Sequence, residues 1–216
     1  MVKEKYTAVE IKLDGFVLKG NLSIPENATG MVIFSHGSGS SRLSPRNNYV
    51  AKVLNEKGLA TLLFDLLTED EDRIYENRFN IDLITMRLID VTQWVQNQKE
   101  GRNLVMGYFG ASTGAASALI AAAFYKDDIG AVVSRGGRPD LAMQELNKVT
   151  APTLLIVGGW DHQVIQLNEK AYQELKCHRK LDIVPEASHL FEEPGKLHQV
   201  ASLAAAWFNK WLQRDK

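Results

Sequence analysis

Short, densely apolar runs alternate along this chain with longer stretches whose apolar positions recur every three or four residues. The runs at 31–35, 60–64, 103–109, 129–134, 153–157 and 180–184 read as strands, most of them apolar enough to be buried on both faces. Between them, Ile81, Ile84, Leu88, Val91 and Val95 step along one face of a helix predicted over 80–98. Further helices are predicted at 47–57, stopped by Gly58, at the Ala-rich 115–125, and at 164–175. The closing stretch 195–212 carries Leu197, Val200, Leu203, Ala204, Trp207 and Trp211 on one face, as a helix packed on a sheet would. Nearer the N-terminus, strands at 6–12 and 16–24 flank Asp14-Gly15, a two-residue hairpin signal. A hairpin leading into strands that alternate with helices predicts an α/β fold. Its sheet should be mostly parallel, of about eight strands, with helices on both faces.

Composition narrows the function classes. At 216 residues the chain is expected to form one domain, 1–216, with a substantial core. A formal net charge of −1 and the lack of a basic tail argue against a dedicated nucleic-acid binder. No apolar run approaches the roughly 20 residues of a membrane span, so no membrane partner is expected. Met1-Val2-Lys3-Glu4-Lys5 is charged with no apolar core behind it, so no secretory signal is expected either. Cys177 is the only cysteine, which excludes an internal disulfide and suits a cytoplasmic setting. The expected form is a monomer or homodimer acting on a small molecule.

In mostly parallel sheets, functional residues gather in the loops at the carboxyl ends of the strands. One such loop is Gly110-Ala111-Ser112-Thr113-Gly114, between a strand and a helix. A serine on that sharp turn, with glycines two residues to either side, has the form of a nucleophile elbow. Side chains at 110 and 114 would collide with the neighbouring strand and helix. Ser112 is therefore the candidate nucleophile.

A serine hydroxyl needs a base to take its proton. Of the five histidines, His36 precedes the serine, whereas in this arrangement acid and base follow it. His198 falls inside the closing predicted helix and His178 at the end of another. His189 follows the last strand, beyond Pro185-Glu186-Ala187-Ser188, where a loop can return over Ser112, and it is preferred to His162. Asp161, just past Gly158-Gly159-Trp160, is the candidate acid that orients the imidazole. It could equally cap the following helix. Asp65, which precedes the serine, is the runner-up and is expected to anchor a loop.

An oxyanion needs at least two preorganised donors. The backbone N–H of Thr113 is one candidate. The other should come from His36-Gly37-Ser38-Gly39, with Ser38 preferred and Gly39 the alternative.

His36-Gly37-Ser38-Gly39, Gly110-Ala111-Ser112-Thr113-Gly114, Gly159-Trp160-Asp161 and Ser188-His189 together resemble an α/β-hydrolase of the dienelactone hydrolase-like group. The likeness runs over nearly the whole chain and leaves no room for a large cap domain. Two further stretches, 134–140 and 188–195, resemble a bacterial branch whose members occur alone or fused to a phosphoribosyltransferase-like domain. The resemblance implies hydrolysis of esters or lactones without a cofactor. True dienelactone hydrolases use a cysteine nucleophile, so the dienelactone substrate itself is not implied here. Cys177, at a predicted helix end, is expected to be a partly buried thiol.

Three residues have a looser claim on substrate. Arg135 and Arg138 are expected on the rim, where a guanidinium would suit a carboxylate; the competing expectation is an ion pair with Asp140. Trp160 could wall the pocket or pack beneath the loop. The acidic run 68–73 is expected to be a solvated loop.

Overall fold

The computed structural model of the chain describes residues 6–213. The N-terminal segment expected to lack a secretory signal lies outside these residues. Strands β1 (Thr7–Leu13) and β2 (Phe16–Ser23) form the predicted hairpin, with Gly15 at φ 82° in its turn. Then follow β3 (Gly30–Ser35), α1 (Pro45–Glu56), β4 (Leu59–Phe64), a four-residue α2 (Glu69–Asp72) and α3 (Ile81–Asn97). The second half comprises β5 (Val105–Ala111), α4 (Thr113–Tyr125), β6 (Ile129–Arg135), β7 (Thr153–Gly158), α5 (His162–Glu174), β8 (Arg179–Val184) and α6 (Lys196–Trp211).

The eight strands make one sheet in the order β1-β2-β4-β3-β5-β6-β7-β8. β1 and β2 pair antiparallel, β2 joins β4 antiparallel, and from β4 onward every pairing is parallel. No cap domain interrupts the described residues.

Alternation along the strands divides the core in two. Ile33, Leu62, Tyr108, Val132 and Leu155 face α3, α4 and α5, meeting Ile84, Leu88, Val91, Ala118 and Leu119. Phe34, Phe109, Val133 and Ile156 face the other way, against Val50 and Leu54 of α1 and Val200, Ala204 and Phe208 of α6. Each fully buried side chain of this size contributes about 1.5–3 kcal/mol relative to exposure. Tyr108 has a polar tip that the core must satisfy, and its hydroxyl lies 2.8 Å from Thr92 Oγ1.

The acidic run departs from the expected loop. Thr68 and Glu71 make a reciprocal capping box, which nucleates α2. Its carboxylates are paired rather than merely solvated, Glu69 with Lys19, Glu71 with Arg87 and Asp72 with Arg78.

Candidate active site

Ser112 stands between β5 and α4 with φ 51° and ψ −122°, a backbone region that L-residues seldom occupy. Three backbone hydrogen bonds hold it there. Its N–H donates to the Arg135 carbonyl at 3.2 Å, and its own carbonyl accepts from Arg138 at 3.0 Å and Ala115 at 3.1 Å. A Cβ at Gly110 would lie 2.5 Å from Ala115 Cα, and one at Gly114 would lie 2.2 Å from the Ser35 carbonyl oxygen. The two glycines therefore let the helix and the neighbouring β3 approach the elbow.

Asp161 follows β7 and occupies the N-cap position of α5, yet its side chain makes no capping hydrogen bond. Instead Oδ2 lies 2.6 Å from His189 Nδ1. That contact fixes the tautomer. In the neutral ring Nδ1 carries the proton toward the carboxylate, and Nε2 keeps the lone pair.

The loop bearing His189 is itself pinned. Trp160 N–H donates to Ala187 O at 3.0 Å, and Ser188 N–H donates to Glu193 Oε2 at 3.0 Å. Gly158 has no space for a Cβ, which would lie 2.4 Å from Ala187 O. Gly136, at φ 51°, lies beneath the imidazole, with Nδ1 and Cε1 each 3.5 Å from where its Cβ would be. Arg135 O receives the Ser112 N–H, so the adjacent residues Arg135 and Gly136 touch the serine and the imidazole in turn. Among the described residues, Asp161 and His189 are joined directly, whereas no hydrogen bond joins Ser112 Oγ to His189.

The other histidines are occupied elsewhere. His178 stacks on Trp207 and lies tilted against Trp211, His198 Nδ1 meets the Tyr49 hydroxyl, and His162 is exposed at the start of α5. Asp65 anchors a loop by accepting the Arg42 N–H and pairing with its guanidinium. Cys177 is half-buried 3.7 Å from Thr153 Oγ1, and burial pushes its thiol up from its ordinary range.

The loop after β3 lies directly against Ser112. A Cβ at Gly37 would come within 3.0 Å of Ser112 Cβ. The two expected oxyanion donors are neighbours, but one of them is engaged, since Ser38 N–H donates to Thr113 Oγ1 at 2.9 Å. That contact joins residues 75 positions apart, and no local sequence signal announces it.

The loosely assigned residues separate. Arg138 is held by Asp140 through two 2.8 Å hydrogen bonds, the ion pair named as its competing expectation. Arg135 is not on the rim. It is 7% exposed and is the only Asp, Glu, Lys or Arg among the buried residues described. As the last residue of β6 it faces the α1 side, with Nη2 3.4 Å from Asn47 Oδ1 and Nε unpaired. Burial, with the nearby Arg46 charge, pulls its guanidinium down to about 10. Trp160 is 57% exposed beside Asp161.

A separate hollow of about 420 Å³ lies between β2, β4 and α1, lined in part by Tyr6, Ile24, Asn55 and Leu63, and contains none of the candidate residues. Among the described residues no group of three or more His, Cys, Asp and Glu could hold a metal ion, and no helix is long and apolar enough to cross a membrane.

Sheet order, elbow and the strand-end positions of Asp161 and His189 define an α/β-hydrolase. The profile of the dienelactone hydrolase family matches residues 18–214, and the chain belongs to that family. It is 54% identical to a dienelactone hydrolase from Anabaena variabilis, with a TM-score of 0.94 over 97% of this chain and 99% of that one. An α/β serine hydrolase without lid from Xanthomonas campestris shares the fold at 20% identity, with a TM-score of 0.77 over 100% of this chain and 99% of the other. A Mycobacterium tuberculosis protein with the provisional name phosphoribosyl transferase is 57% identical over 189 residues, covering 88% of this chain. The match covers 43% of that relative, so the chain spans less than half its length.

Proposed function

We propose that this chain is a serine hydrolase that cleaves small carboxylic esters, lactones or thioesters through an acyl-enzyme. The observation that carries the reading is the 2.6 Å contact between Asp161 and His189 Nδ1, which turns Nε2 of the neutral imidazole outward as the nitrogen available for general-base work. Ser112, strained at its elbow and hydrogen-bonded to Arg135 O, next to the Gly136 that lies against His189, is the nucleophile. Its proton moves to His189 Nε2 as Oγ bonds to the carbonyl carbon and the carbonyl π pair shifts onto oxygen. The backbone N–H of Thr113 stabilises that oxygen, with a second donor supplied where Ser38 and Thr113 meet. His189 then gives its proton to the leaving alcohol or thiol. Water repeats the sequence on the acyl-enzyme, releasing acid and restoring Ser112.

Of the three residues expected to touch substrate, exposed Trp160 has the placement that supports the role, as a wall beside Asp161. Arg138 is already paired, and Arg135 reaches the site through its backbone carbonyl. No cofactor enters this mechanism. The catalytic unit is one domain working as a monomer or homodimer, and a cytoplasmic setting suits its single thiol. The phosphoribosyl transferase name belongs to a longer protein, whereas the hydrolase profile spans all three candidate residues.

The test is turnover of p-nitrophenyl acetate, γ-butyrolactone and an acetyl thioester by wild type, Ser112→Ala and His189→Ala. The reading requires at least one substrate to be cleaved by wild type and by neither variant. A folded wild type inert on all three contradicts it. A transacylase using the same residues would turn over faster with an added acceptor alcohol.

A further inference from the structure

The hydrogen bond from Ser38 N–H to Thr113 Oγ1 raises a question of supply. An oxyanion hole needs at least two donors, and one of the two expected backbone donors is already committed to a side chain. The Thr113 hydroxyl has used one of its lone pairs as acceptor, but its own proton has no acceptor among the described residues. Thr113 is the first residue of α4 and is only 7% exposed, so bulk water cannot readily compete for that proton. Through covalent geometry, a hydroxyl on Cβ can share with its own residue's N–H an acceptor in front of both.

We infer that the Thr113 hydroxyl is itself an oxyanion donor, working as a relay with the Ser38 N–H behind it. This rests on the serine hydrolase reading and deepens it. As Ser112 Oγ bonds to the carbonyl carbon and the π pair moves onto oxygen, that oxygen accepts from Thr113 N–H and from Thr113 Oγ1–H. The Ser38 N–H polarises the hydroxyl and strengthens its donation, as successive hydrogen bonds do in a site of low dielectric. No covalent bond beyond those of the acylation step changes, and the hydroxyl keeps its proton throughout. The side chain after the nucleophile is therefore part of the catalytic apparatus and not just a packing element of α4. Gly37, which precedes Ser38, is backed against Ser112 Cβ and leaves no room there for a side chain.

The experiment compares Thr113→Val, which keeps the shape but removes the hydroxyl, with Thr113→Ser, which keeps the hydroxyl but removes the methyl. Three quantities are measured: kcat and KM on p-nitrophenyl acetate, and the affinity for phenylboronic acid, whose tetrahedral adduct on Ser112 presents an oxygen to the same donors. Thr113→Val should lower kcat on the order of 10²-fold, as loss of one oxyanion donor does, with KM moving far less. Boronate affinity should weaken by a similar factor, and Thr113→Ser should recover most of both losses. Thr113→Val turning over as fast as wild type or faster would overturn the inference, because the hydroxyl would then merely occupy the Ser38 amide. Equal losses in Val and Ser would overturn it too, since they would trace to the methyl. Should Thr113→Val fail to fold, Thr113→Ala carries the same comparison against Ser. A wild type inert to both ester and boronate would instead sink the underlying hydrolase reading.

Discussion

Leu66 N–H donates to His36 Nε2 at 3.1 Å, while Nδ1 of the same ring faces the Gly37 carbonyl oxygen at 3.0 Å. Nε2 must therefore be the acceptor and Nδ1 the protonated nitrogen, so the ring is neutral. It straps the loop that carries Ser38 to the segment after β4, and burial lowers its affinity for a proton below the ordinary value of 6.5. The sign of the linkage follows. Above about pH 6.5 both folded and unfolded chains carry a neutral His36, and its contribution to stability is whole. As pH falls below that, the unfolded chain takes up a proton that the folded one refuses, and stability is lost toward the lowered folded value. Thermal melts between pH 7.5 and 5 should show a steeper acid-side loss for wild type than for His36→Gln. Equal slopes would contradict the assignment.

Arg135 is the structure's clearest electrostatic liability. A buried guanidinium with no carboxylate partner and a second arginine nearby has lost its hydration with little in return. Arg135→Met, of similar length, should raise the unfolding free energy by about 1 kcal/mol or more. Urea denaturation checks this, and a marked loss of stability would mean that the charge is compensated within the native state.

The glycines around the elbow are separable by crowding. Gly114→Ala places a Cβ 2.2 Å from the Ser35 carbonyl and should cost about 2 kcal/mol or more, or prevent folding. Gly39 has nothing within 4 Å but sits at φ 67°, so Gly39→Ala should cost about 1 kcal/mol from backbone strain alone. The midpoints of chemical denaturation should fall in that order, and the reverse order would refute the steric account.

Asp161 neutralised at constant size should leave His189 in the wrong tautomer. Asp161→Asn is expected to lower kcat by about 10⁴-fold with the fold unchanged. Ester turnover alongside circular dichroism checks it. A loss of ten-fold or less would contradict the assignment of Asp161 as the group that orients His189.

The sequence made the strand–helix alternation legible because most strands are buried on both faces and the longer helices carry one apolar stripe. Ser112 was readable because its flanking glycines answer a local steric demand. Asp161 is ambiguous in sequence, since cap and acid both call for a carboxylate at that point; in the fold its side chain makes no capping hydrogen bond and meets His189 instead. Arg135 was misplaced on the rim for a reason of period: β6 continues through it, and its place in the pleat turns the side chain toward α1. α2 is too short to show periodicity, although the Thr68-x-x-Glu71 pattern that nucleates it is present in the sequence.

The central claim is that Ser112 is an activated nucleophile, and the most direct measurement is the intact mass of wild type and Ser112→Ala after exposure to a fluorophosphonate. Wild type should take a single covalent adduct and the variant none. A folded wild type that takes no adduct, or a variant labelled equally well, would contradict it.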